Sequence, residues 1–197
     1  GRVSVLDKGD KQAPDVGNAV VWLTSTRRAT VAPDTVQVVT VDKSFRPRVV
    51  VVPAGSVVSF PNKDAFDHNV FSLSQEGPFD LGLYGRGSAK STQFPRAGII
   101  RVYCNVHANM TAAVVVRDSP HYAQPAGDGS FSIAGVPPGE YLLHSWHERA
   151  AELPPQAVIV GPEGVSGLAI RLDARGHKFV QHADKTGQPY ARRGRRY

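Results

Sequence analysis

Short stretches in which apolar and polar residues alternate recur along this chain, bounded by Gly, Pro, Asp or Asn. A period of two is the mark of strands with one buried face. The first stretch, Arg2-Val3-Ser4-Val5-Leu6, runs into a turn over residues 7–11, and Gly17-Asn18-Ala19-Val20-Val21-Trp22-Leu23-Thr24 reads as a second strand. Residues 25–34 are largely polar and contain Pro33, which points to a crossing into another unit. Strands are expected over 35–41, 48–52 and 56–60, with Pro53-Ala54-Gly55 as a turn, and another opens with His68. Residues 73–90, with Gly77-Pro78 and Gly82-Leu83-Tyr84-Gly85-Arg86-Gly87, read as loop-rich. Later strands are expected over 91–94, 98–104 and 111–117. Residues 128–143 alternate on both sides of Pro137-Pro138-Gly139, a hairpin signal, and 155–160 and 166–172 add two more strands. The reading is all-β.

Composition agrees with that class. A chain of 197 residues holds one large domain or two small ones. Hydrophobic residues at 41% against 20% charged imply a folded core, and 15 Pro with 19 Gly favour strands and turns over helices. No run of about twenty apolar residues occurs, so no transmembrane segment is expected. No leader is recognised, and a start at Gly1 suggests a processed or trimmed chain. The net charge of +6 is concentrated at one end: residues 174–197 carry seven Lys/Arg against the single acid Asp184, leaving the body neutral. Such a basic tail is either a solvated arm or a docking element for an acidic partner. Without aromatic interleaving, nucleic acid is not an expected partner.

One stretch carries chemistry. Tyr103-Cys104-Asn105-Val106-His107-Ala108-Asn109-Met110 contains the only cysteine and the only methionine, with a histidine between them. Thiolate, imidazole and thioether together are ligands that suit copper, and a blue-copper site adds a second histidine from a distant strand. His68, which opens a strand and is followed by Asn69, is the candidate. Taken singly, a lone cysteine is more often a small buried hydrophobe, and a lone histidine a polar core or surface residue. The Cys-x2-His-x2-Met spacing with an upstream His-Asn pair changes that balance.

On those residues the chain resembles the cupredoxins, especially the plastocyanin and amicyanin group, over roughly residues 35–117. The resemblance implies a Greek-key sandwich with one copper ion, Cu(I)/Cu(II), held by His68, Cys104, His107 and Met110. It also implies that Asn69 bonds across to the ligand loop and holds it against His68, with Asn62 in a similar supporting role. His107 would then expose its ring edge beside the small Ala108, and electrons would pass through that edge.

Residues 128–143 resemble the carboxypeptidase-regulatory-like (transthyretin-like) β-sandwich, with its Asp-x-Gly-x-Phe start and Pro-x-Gly-x-Tyr continuation. Ala19-Val20-Val21-Trp22-Leu23 is similar to an earlier strand of that family, yet lies on the far side of the copper segment. The expected architecture is therefore a cupredoxin domain over 31–118, inserted into or joined to a second sandwich made of 1–30 and 119–173, with 174–197 as a basic tail. The arrangement is similar to periplasmic methylamine-utilisation-type cupredoxins.

The function expected is a soluble electron carrier between redox protein partners in the periplasm or another exported compartment. The alternative is a protein for copper delivery, storage or sensing. A single thiolate excludes a dinuclear purple centre, and Tyr103 and Asn105 stand where a trinuclear cluster needs histidines. A zinc site would not recruit a thioether. With no Gly-x-Ser-x-Gly or phosphate loop, an enzyme is not expected. His121, His144 and His147 fall in the second unit, where structural roles are the plainer reading and a second metal at His144/His147 the other. His177 and His182 belong to the tail, where they could hold a metal only loosely.

Overall fold

The structure is a computed structural model in which residues 1–26 and 31–190 are described. Among these the chain is all-β. It opens with β1 (Arg2–Asp7), β2 (Lys11–Gln12) and β3 (Val20–Thr24). There follow β4 (Thr35–Gln37), β5 (Val39–Val41), β6 (Ser44–Arg46), β7 (Val49–Pro53) and β8 (Ser56–Pro61). Next come β9 (His68–Ser72), β10 (Phe79–Tyr84), β11 (Ala89–Phe94), β12 (Gly98–Cys104) and β13 (Thr111–Arg117). The last four are β14 (Tyr122–Ala123), β15 (Gly139–Trp146), β16 (Gln156–Val160) and β17 (Ala169–Asp173). The strands sort into two compact units. One takes the described residues of 1–32 with 117–178, the other 33–116 with the described residues from Phe179.

The first unit has sheets ordered β17-β1-β2 and β14-β3-β15-β16. β1 runs parallel to β17, from Arg2 opposite Ala169 to Leu6 opposite Asp173, and β3 runs antiparallel to β15. Val3, Val5, Val21 and Leu23 from the early strands pack with Tyr141, Leu143, Val158, Val160 and Leu172 from the late ones. Burying each such side chain is worth about 1.5–3 kcal/mol. Both sheets draw strands from either side of the intervening segment, so neither half can cover its apolar face alone.

In this unit Pro137-Pro138-Gly139 does not turn a hairpin, contrary to the alternation on its two sides. Both edges of β15 are occupied, one by β3 and the other by β16, which leaves residues 130–136 no edge to join. They attach instead near β1, through an Arg2–Ser130 bridge and a bond from Phe131 N–H to the Gly1 carbonyl.

The second unit is a sandwich of a five-stranded sheet, β10-β9-β12-β13-β7, and a three-stranded one, β11-β8-β4, with β5-β6 as a separate hairpin. Val58, Phe60 and Phe94 from the smaller sheet share one core with Val70, Ile100, Val102, Cys104, Val114 and Val116 from the larger. The stretch 73–90 is not merely loop: it contains β10, paired to β9 with a register shift between Asp80 and Leu83. Gly82 sits in that shift at φ +65, and the irregularity breaks the alternation that would have marked the strand. Residues 179–190 also belong to this unit. Arg192, Arg193, Arg195 and Arg196 of the basic tail lie outside the described residues.

Candidate metal centre

The site is set by the register of two strands. β12 pairs with β9 so that Cys104 stands opposite Val70. Residues opposite one another, and residues two apart on a strand, point to the same face. His68 and Cys104 are thereby aimed together into the core. All five residues of β9 are buried, including His68 at 0% exposure. From Cys104 the chain makes a short loop into β13, closed by Met110 N–H to the His107 carbonyl (3.0 Å) and Cys104 N–H to the Met110 carbonyl (3.2 Å). That turn folds His107 back over the sulfur.

Three donor atoms result. His68 Nδ1 lies 3.4 Å from Cys104 Sγ, and Sγ lies 3.7 Å from His107 Nδ1. All three lie within 4.8 Å of one another. Bonds to a metal of about 2.0 Å from nitrogen and about 2.3 Å from sulfur, spread about 120° apart, put N and S roughly 3.7 Å from each other. The spacing therefore fits an ion in the plane of the three atoms. Met110 is buried in the same core cluster as Cys104. Among the described residues this is the one group of three or more His, Cys, Asp or Glu side chains close enough to share an ion.

The surroundings prepare the donors. Burial pushes the Cys104 thiol up, but the hydrogen bond with His68 and the backbone N–H groups of Asn69, Val106 and His107 outweigh it, and the net shift is down. Burial pulls the His68 imidazole down, and Cys104 and Asp64 together reverse that, so it is raised overall. His68 Nε2 is 2.8 Å from Asp64 Oδ2, so Nε2–H donates to that carboxylate and Nδ1, turned toward Cys104, is the nitrogen that a metal would meet in place of its proton.

Sequence reasoning missed Asp64, although its place four residues before His68, inside the turn that leads to β9, is a usable signal. Its carboxylate also accepts the backbone N–H groups of Asp42 (2.7 Å) and Lys43 (3.0 Å). Those two residues form the β5–β6 turn with φ of +52 and +54, a left-handed conformation that non-glycine residues adopt at a cost. Asp64 thus ties a strained turn and a buried histidine together.

Asn62 organises the same turn. Its Nδ2 donates to the carbonyls of Phe66 (2.9 Å) and Tyr84 (3.2 Å), and its Oδ1 accepts from Asp64 N–H (2.9 Å). The Asn69 side chain does not reach the ligand loop as the resemblance implied. Its Nδ2 donates to Asp80 Oδ1 (2.5 Å), and it is the Asn69 backbone carbonyl that accepts Asn105 N–H (2.9 Å). In an antiparallel ladder the main chain already spans that gap, which frees the side chain for β10.

Tyr84, opposite His68 in the β9–β10 ladder, was also missed. Its buried hydroxyl has no hydrogen-bond partner, and burial and the Cys104 charge push its ionisation far up. At the outer end, half-buried His107 lies against Phe66, ring centroids 5.4 Å apart, and Phe66 and Val106 are exposed. In the other unit His144 bonds to Thr24 Oγ1 (2.8 Å) and stacks on Trp22. His147 is buried against Asp15 and Arg149.

No family model matches the chain, and no curated protein sequence does. Solved structures similar to part of it include three copper proteins or cupredoxins. A copper-containing nitrite reductase from Thermus scotoductus is 26% identical over 46% of this chain and 25% of its own, with a TM-score of 0.40. This chain thus spans a quarter of that protein. A purple cupredoxin from Nitrosopumilus maritimus is 22% identical over 41% of this chain and 98% of its own, TM-score 0.37. A reduced amicyanin variant is 24% identical over 49% and 98%, TM-score 0.40. No helix among the described residues is long and apolar enough to cross a membrane.

Proposed function

We propose that this chain is a mononuclear type 1 (blue) copper protein that carries single electrons between redox protein partners. The observation that carries the reading is the convergence of His68 Nδ1, Cys104 Sγ and His107 Nδ1 within 4.8 Å, with His68 and Cys104 fully buried and His107 half-buried. Bound copper would supply a one-electron Cu(I)/Cu(II) couple. His68, Cys104 and His107 would hold it, with the Met110 thioether as a weaker fourth donor. Cys104, with its lowered proton affinity, offers thiolate character. Asp64 fixes the His68 ring in the orientation a ligand needs.

The chain holds these side chains by packing, so little has to move when charge changes. His107, flanked by the exposed apolar groups of Phe66 and Val106, offers a partner a close approach. Burial of His68 and Cys104 at 0% weighs against the delivery or storage alternative, because cargo must be released through ligands a partner can reach.

The copper unit is, in this proposal, a cupredoxin domain inserted into a carboxypeptidase-regulatory-like sandwich. The methylamine-utilisation resemblance and a periplasmic or otherwise exported location belong to the same proposal, as does a non-catalytic role. Absorption and paramagnetic-resonance spectra of the Cu(II)-loaded chain test the central claim. An intense visible thiolate band with a narrow copper hyperfine splitting is expected; a colourless, tetragonal Cu(II) signal would overturn it.

A further inference from the structure

Residues 181–190 make contacts that neither a solvated tail nor a docking arm needs. The Tyr190 hydroxyl donates to the Cys104 carbonyl (2.9 Å), and Lys185 N–H donates to Asn105 Oδ1 (2.9 Å). Gln181 Nε2 donates to Asn109 Oδ1 (3.1 Å), and His182 Nε2 lies 3.4 Å from the His107 carbonyl oxygen. The contacts fall on residues 104, 105, 107 and 109, the length of the ligand loop.

The segment is itself built. Asp184 Oδ1 accepts from Thr186 N–H (2.8 Å) and Gln188 N–H (3.0 Å), and Asp184 N–H bonds to the Gln188 carbonyl (2.8 Å). It is seated on the strands independently of the loop. The Lys185 ammonium pairs with Asp80 of β10 (2.6 Å), and the His182 ring stacks on Tyr103 of β12 with centroids 4.5 Å apart.

We propose that residues 181–190 are an intramolecular strap that positions the ligand loop, with Tyr190 and Lys185 as positioning residues that hold residues 104–110 in metal-ready shape before an ion arrives. A short loop that lacked these contacts would have to be ordered by the metal itself, at the expense of affinity. With the strap in place that ordering is achieved when the unit folds. The consequence for copper rests on the function proposed above; the positioning of the loop does not.

The test uses the full chain and its Tyr190→Phe variant, which removes one hydroxyl, with a variant ending at Lys178 as the stronger lesion. Amide exchange over residues 105–110 in the metal-free protein is expected to rise about fivefold in Tyr190→Phe, the equivalent of one ordinary hydrogen bond, and further in the truncation. Exchange in β3 and β15 should not change. Cu(II) affinity should fall in the truncated chain, whose ligand loop loses the contacts from Gln181, His182, Lys185 and Tyr190. Unchanged loop exchange in both variants overturns the strap, as does faster exchange that spreads equally through β8 and β11, since that is general loosening. A native chain that takes up no Cu(II) overturns the copper reading, and the exchange result still decides the strap.

Discussion

His68 and His147 have the same burial and the same kind of neighbour, yet their surroundings give them different chemistry. Each is essentially unexposed, at 0% and 1%, and each turns Nε2 toward an aspartate, Asp64 at 2.8 Å and Asp15 at 3.6 Å. The difference is at Nδ1. In His147 that nitrogen accepts the backbone N–H of Arg149 (3.3 Å), while Nε2 faces the Asp15 carbonyl (3.3 Å). The Nδ1 lone pair and the Nε2–H are thus both matched within the protein. In His68 Nδ1 faces the sulfur of Cys104, with a second imidazole nitrogen beyond it.

Charge follows the same division. His147 is lowered, because burial dominates and the Arg149 guanidinium opposes the help from Asp15. His68 is raised by Cys104 and Asp64 despite its burial. A histidine whose Nδ1 already accepts a backbone N–H has no lone pair left for a metal. One whose Nδ1 lies beside a thiol and a second imidazole could share a metal ion with them.

Substitutions should separate the two histidines. The largest effect expected is from Cys104→Ala, which should abolish the visible Cu(II) band while leaving far-ultraviolet dichroism near native. An unchanged spectrum would remove Cys104 from the site. His147→Ala should leave the band intact and cost about 2–3 kcal/mol in denaturant unfolding, through the cavity and the polar groups of Asp15 and Arg149 left unpaired. If the band disappeared instead, the two histidines would not be distinct in role.

Asp64→Asn sharpens the contrast from the other side. Loss of the carboxylate behind a ligand ring should weaken Cu(II) binding about 10- to 100-fold, measured by competition with a chelator. Equal affinity would mean that packing alone orients His68. Met110→Leu should shift the reduction potential without loss of copper, since an axial thioether tunes more than it binds; a colourless variant would assign Met110 a larger part.

The smallest effect is one of pH. Burial alone would raise the Asp80 carboxyl, but Lys185, Asn69 and the Gly82 N–H hold it at about 2, below the ordinary 3.8. A depressed carboxyl stabilises the fold above its unfolded value and loses that contribution as pH falls through the folded one. The Asp80–Lys185 contact should thus be intact above about pH 4 and weaken toward pH 2, a modest change because both groups are about two-fifths exposed. Protection factors at Lys185 and Thr186, taken relative to the intrinsic exchange rate at each pH, should fall over that window; an effect already complete at pH 5 would point to another group.

What could be read early was local. The Cys-x2-His-x2-Met loop and the His-Asn strand opening are short patterns of rare residue types, and the donors at His68, Cys104 and His107 do come together. Alternation marked β1, β8 and β12 because one face of each is more buried than the other, whereas β13 is an apolar run buried on both faces from Ala112 to Val116. It failed at β10, where a bulge interrupts the period, and at residues 130–136, where alternation was present but both edges of β15 were already filled.

The order of residues by itself determined which side chains could bind a soft ion and where most strands begin, because both depend on neighbours a few positions away. The tertiary structure alone decided that Asp64 stands behind His68, that the Asn69 side chain turns to Asp80, and that His182 and Tyr190 lie on the ligand loop. Each of these is a contact between segments that meet only when the sheets have packed, and no local period or spacing encodes it.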